Sequence, residues 1–194
     1  MAELLLFHHA LGLTAGCRAF AEDLRAAGHI VHTPDLYAGR TFTDLAEGMA
    51  HVEELRMETI VERGLRAAAA FPGADVFAGL SLGVMPAQAL AQTRPGARRA
   101  VLMHAAAPPS AFGGPWPAGV ALQLHTMEDD ALGDADVARE LAADVEGAEL
   151  FLYPGDRHLF TDRGLPDHDA DAAELVRERV VAFLSRIPTT AGAR

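Results

Sequence analysis

Three kinds of side chain in this sequence could together carry out nucleophilic acyl chemistry. They are a serine at Ser81, a carboxylate among Glu128, Asp129 and Asp130, and an imidazole at His158. A serine hydroxyl is a weak nucleophile at neutral pH and needs a base within hydrogen-bond reach. A neutral imidazole can take that proton and return it to the leaving group, while a carboxylate on its other nitrogen fixes the tautomer and stabilises the imidazolium. Ser81 lies in Gly79-Leu80-Ser81-Leu82-Gly83, between the apolar run Val76-Phe77-Ala78 and an Ala- and Leu-rich stretch. That pattern predicts a serine on a sharp turn from strand to helix. The pinched backbone of such a turn leaves no room for bulky residues two positions away, hence the glycines. The turn also aims the N–H groups of the following helix at a developing oxyanion. The expected donors are the backbone N–H of Leu82 and that of Ala10 or Leu11. For His158 the plainer alternative is a loop histidine packed beside Phe160; its place after the last expected strand favours the role of base.

These side chains must be held by an alternation of strands and helices. Strands are expected at Glu3 to Phe7, His29 to Thr33, Ala74 to Leu80, Arg99 to Ala105, Val120 to Leu124 and Ala148 to Leu152. The first helix runs from Ala15 to Ala27, capped by Thr14 and closed by Gly28. A long helical region begins at Thr43 or Asp44 and reaches Ala70, with a break near Gly48 and His51. Further helices follow the Ser81 turn to Thr93, run from an Asp134 cap to Asp144, and extend from Asp169 to Arg186. The last turns Leu175, Val176, Val180, Phe183 and Leu184 inward. Such alternation implies right-handed crossovers and a parallel sheet of at least six strands covered on both faces, with the functional site at the carboxyl ends of the strands. The loop from His125 to Asp130 and the loop from Tyr153 to Phe160 both fall on that edge.

The chain has 194 residues, 50% apolar and 22% charged, enough for one domain with a substantial core. Residues 1–187 are expected to form that domain and residues 188–194 a flexible tail. The formal net charge of -11 argues against nucleic acid and anionic membranes as partners. A single cysteine, Cys17, excludes an intramolecular disulfide and makes a reducing cytoplasm the expected setting. Leu4 to Phe7 is too short for a signal peptide, and no stretch is long enough to span a membrane. Cys17 sits at a helix start, without an elbow. The adjacent His8 and His9 point apart on a strand end without an evident third ligand, so neither a metal nor a cofactor is expected. His9, Tyr37, Met85 and Trp116 are candidates to line a substrate pocket, although each could equally be ordinary packing.

With those residues in place, the sequence resembles the dienelactone hydrolase family. The segments that carry the resemblance are Phe7-His8-His9-Ala10-Leu11-Gly12, Thr33-Pro34-Asp35-Leu36-Tyr37, the Ser81 turn, His125 with Asp130, and Tyr153-Pro154-Gly155 with His158-Leu159-Phe160. The resemblance implies a three-layer α/β-hydrolase fold without a large cap domain, and it favours Asp130 as the acid. The family's eponymous enzymes carry cysteine at the turn, activated with help from a glutamate in an early loop. Here the residue is Ser81, and Leu11 to Cys17 holds no glutamate. Arg40 and Arg157 are the candidates for holding a substrate carboxylate. The expected function is a serine hydrolase acting on a small ester or lactone through an acyl-enzyme. The alternatives are a thioesterase and a non-catalytic small-molecule binding protein; a homodimer is left open.

Overall fold

A computed structural model describes residues 1–186; the tail expected at 188–194 lies outside them. Six strands form one wholly parallel sheet in the order β2-β1-β3-β4-β5-β6. They are β1 (Glu3–Phe7), β2 (Ile30–His32), β3 (Val76–Leu80), β4 (Arg99–Met103), β5 (Ala121–Met127) and β6 (Glu149–Tyr153). The helices are α1 (Ala15–Ala26), α2 (Leu45–Leu55), α3 (Met57–Ala68), α4 (Val84–Thr93), α5 (Ala135–Asp144) and α6 (Ala170–Ser185). This is the expected three-layer α/β architecture, and no large cap domain is evident among the described residues.

Strands covered on both faces read as continuous apolar runs, and side chains alternate between the two layers. Leu5, Phe7, Phe77 and Leu102 meet Val52, Ile60, Ala87, Leu90 and Leu141 from α2 to α5 on one face. Leu4, Leu6, Val76, Ala78 and Val101 meet Phe20, Leu24, Val176, Val180 and Phe183 from α1 and α6 on the other. The expected Thr14 cap forms, its Oγ accepting from the Cys17 N–H at 3.1 Å, and the Asp44 and Asp169 carboxylates cap α2 and α6 by accepting from the Glu47 and Ala172 N–H groups. No helix among the described residues is long and apolar enough to cross a membrane.

Several boundaries differ from expectation. The long helical region breaks at Arg56, whose φ is 69°, and not near Gly48 or His51. Gly48 instead brings α2 against the end of β1: a Cβ there would lie 2.6 Å from the Ala10 carbonyl oxygen. β4 is shorter than expected, ending at Met103, and β5 continues to Met127. His125 is therefore a buried strand residue and not the start of a loop. Asp134 precedes α5 in a left-handed conformation and makes no side-chain cap. Leu175 is 42% exposed because it falls off the inward stripe of α6.

Candidate active site

Ser81 follows the last residue of β3, the strand flanked by β1 and β4, and opens a short 3-10 turn, Ser81–Gly83, that leads into α4. Its φ of 49° is a left-handed conformation that costs a side-chain-bearing residue about 1–3 kcal/mol. The flanking glycines are required by backbone contacts. A Cβ on Gly79 would collide with the Gly83 carbonyl. One on Gly83 would collide with the Phe7 carbonyl and lie 2.8 Å from that of His8. The turn is thus pressed against the carboxyl end of β1, where the second oxyanion donor was expected. Gly83 itself has an ordinary helical φ of -63°, so Gly83→Ala isolates the steric term. We expect it to destabilise the fold by about 3 kcal/mol, the upper end for overpacking, because the obstructing atoms are backbone; urea denaturation checks this.

His158 lies in the turn after β6. Its Nε2 accepts from Ser81 Oγ at 2.8 Å, and its Nδ1–H donates to Asp130 Oδ2 at 2.7 Å. Asp130, 7% exposed, sits beyond the end of β5, and its other oxygen accepts the Leu132 N–H at 2.9 Å. Gly133 makes room for it, since a Cβ there would lie 2.7 Å from Asp130 Oδ2. Glu128 and Asp129 are exposed, Glu128 pairing with Arg139 at 3.1 Å. Three neighbouring carboxylates, indistinguishable by type, are therefore separated by burial and hydrogen bonding. The result is a continuous Ser–His–Asp chain at the carboxyl ends of β3, β5 and β6.

The histidine pair after β1 divides its work. His8 donates from Nδ1 to the His9 carbonyl at 2.8 Å and accepts the Leu36 N–H on Nε2 at 3.0 Å. Burial pushes its pKa down to about 4, keeping it neutral. His9 Nε2–H donates to Asp162 Oδ2 at 2.9 Å. Burial opposes its charge, but the hydrogen bond to Asp162, reinforced by the neighbouring Cys17, outweighs it and raises the pKa to about 9. Leu11 N–H reaches His9 Nδ1 at 3.3 Å, a long contact that only the singly protonated ring can accept. Because the folded value lies above the unfolded one, the stability from this pair is fully present below about pH 6.5 and is lost as pH rises toward about 9. The thermal midpoint should fall across that window, and Asp162→Asn should flatten the fall.

Among the described residues, His9, Cys17 and Asp162 place donor atoms within 4.8 Å of one another. The 2.9 Å spacing of His9 and Asp162 is that of a hydrogen bond, and Thr14 Oγ–H occupies the same carboxylate oxygen at 2.6 Å. The arrangement fits a closed hydrogen-bond network better than a metal centre. The four pocket candidates do not share one surface. His9 is in this network. Tyr37 is buried among His8, Phe42 and His51, and Met85 packs on the core. Trp116 lines a cleft of about 640 Å³ with Pro108, Pro109 and Leu141. Arg40 lies over Phe42 and reaches His51, and Arg157 donates to the His168 carbonyl and faces Asp169. Sequence reasoning missed His104, Thr161 and Asp162, whose partners are remote in the chain.

The profile of the Dienelactone hydrolase family matches residues 3–187. No curated protein sequence matches the chain. Among solved structures, a dienelactone hydrolase-type protein of Klebsiella pneumoniae subsp. pneumoniae superposes with a TM-score of 0.72 at 16% identity, covering 96% of this chain and 88% of that one. A dienelactone hydrolase-like promiscuous phosphotriesterase from metagenomic libraries gives 0.70 at 18% identity, covering 95% and 86%. A hydrolase of the α/β superfamily from Xanthomonas campestris pv. campestris gives 0.63 at 22% identity, covering 96% and 100%. At these identities the structural likeness speaks for the fold, and the profile match over nearly the whole chain decides the family: the chain belongs to the dienelactone hydrolase family.

Proposed function

We propose that this protein is a serine hydrolase that opens a small ester or lactone through an acyl-enzyme on Ser81. The observation that carries the reading is the chain from Ser81 Oγ through His158 to Asp130, with links of 2.8 and 2.7 Å. Membership of a family of ester-bond hydrolases supports the reaction class. In acylation Ser81 Oγ bonds to the carbonyl carbon and its proton passes to His158 Nε2. The oxyanion takes the N–H of Leu82 and that of Ala10 or Leu11. Collapse breaks the bond to the leaving oxygen, which leaves with the proton from His158. Water, deprotonated by the same imidazole, then releases the acid and restores Ser81. Asp130 holds Nδ1–H throughout and so keeps Nε2 free to accept. With Arg40 and Arg157 engaged elsewhere, the arrangement favours neutral esters over a carboxylate-bearing dienelactone.

The test is a panel of neutral aryl esters, lactones, aryl thioesters and a phosphotriester, run beside fluorophosphonate labelling with the modified peptide mapped. Labelling at Ser81 together with ester or lactone turnover supports the reading. Turnover of thioesters alone would shift it to a thioesterase, and a folded protein with neither labelling nor turnover would shift it to a binding protein.

A further inference from the structure

We infer that His9 and His104 act as positioning residues, gripping two consecutive residues of the His158 loop from the strand ends on either side of Ser81. The inference rests on the hydrolase reading above. The sheet order places β3 between β1 and β4. His9 follows β1 by two residues, Ser81 follows β3 directly, and His104 follows β4 directly. The loop carrying His158 crosses this row. Thr161 Oγ pairs with His104 Nε2 at 2.7 Å, and Asp162 Oδ2 accepts from His9 Nε2 at 2.9 Å. The imidazole that must stay 2.8 Å from Ser81 is therefore tied down three and four residues downstream, once on each side of the nucleophile.

The Asp162 side is built for a carboxylate. Asp162 is 3% exposed, and its oxygens also accept the Thr14 hydroxyl at 2.6 Å and the Gly164 N–H at 2.8 Å. Gly16 leaves space for it, since a Cβ there would lie 2.6 Å from Oδ2. Because His9 immediately precedes Ala10, the same bond fixes the backbone that supplies the second oxyanion donor. Base and oxyanion donor are thus referenced to one carboxylate.

The His104 side is kept at a cost. His104 is wholly buried and holds a left-handed φ of 66°, which costs about 1–3 kcal/mol. Its N–H donates to the His125 carbonyl at 2.7 Å, but its Nδ1 finds no partner among the described residues. An apolar residue would avoid that penalty, and histidine's return is the bond to Thr161. Burial, and then the proximity of His158, hold the His104 pKa well below the usual histidine value. The neutral ring therefore pairs with Thr161 without setting a second positive charge beside the base, whose ring lies 6.1 Å away edge to face.

The experiment compares Thr161→Val, Thr161→Ser, Asp162→Asn and the double variant Thr161→Val/Asp162→Asn with the native enzyme on a neutral aryl ester. Folding is checked by circular dichroism and thermal melting. A misplacement of the order of 1 Å costs about 100-fold in rate. We therefore expect Thr161→Val and Asp162→Asn each to lower kcat about 10–100-fold with KM within about 3-fold, and the double variant to lose more. Thr161→Ser, which keeps the hydroxyl, should restore kcat. Fluorophosphonate labelling should slow in parallel, since it uses the same base and donors. Folded Thr161→Val and Asp162→Asn with native kcat overturn the proposal, as does failure of Thr161→Ser to recover. If Asp162→Asn does not fold, the Thr161 pair alone decides. A native enzyme that neither labels nor turns over esters instead overturns the hydrolase reading beneath it.

Discussion

Ser81→Ala is expected to lower turnover of a neutral aryl ester by about 10⁴–10⁶-fold, with little change in KM. The substitution removes the Oγ that accepts the acyl group and nothing that holds the turn. Both residues carry a Cβ, so the left-handed φ of 49° is no more strained with alanine than with serine. The glycine contacts of Gly79 and Gly83 are untouched. Residual rate would come from the oxyanion donors and from water activated by His158, the background that survives loss of a nucleophile. Steady-state kinetics with active-site titration, to subtract native contamination, measure this directly. A folded Ser81→Ala protein at more than about a tenth of native activity would remove Ser81 from the mechanism.

The second large effect is expected at Asp130. Asp130→Asn should cost about 10⁴-fold in kcat, whereas Asp129→Asn and Glu128→Gln should stay within about 3-fold. The amide is close to isosteric and can still accept the Leu132 N–H. Facing His158 with an NH₂ group, however, it would favour the tautomer that carries its proton on Nε2. Nε2 could then no longer accept from Ser81, and an imidazolium formed there would lose its counter-charge. The exposed neighbours have no such contact. Parallel kinetics on the three variants decide the assignment, and a large loss at Asp129 or Glu128 with a mild one at Asp130 would overturn it.

Much of this architecture could be read from the residues. Unbroken apolar runs separated by helical periods specify a parallel sheet, and the Gly79–Gly83 pattern specifies the turn because backbone contact there excludes every larger residue. Where reading failed, a residue was serving a distant neighbour. Gly48 suggested a helix break, but its small size admits the Ala10 carbonyl, and the chain breaks at Arg56 instead. Asp130 could be picked out from its neighbours only by family resemblance, since burial is a property of the assembled sheet. His104 with Thr161 and His9 with Asp162 join positions 57 and 153 residues apart, beyond the reach of local spacing.

The sheet order has one more consequence. β6, which leads into the His158 loop, is an edge strand, and most of it is only partly buried. Edge segments open locally at a lower free energy than central strands, and a group hung from one would share that softness. Here the loop doubles back and anchors at the ends of β1 and β4, two of the interior strands. The imidazole therefore follows the opening equilibrium of the middle of the sheet, and amide protons in residues 158–162 should exchange with the slow class although the strand that delivers them belongs to the fast one.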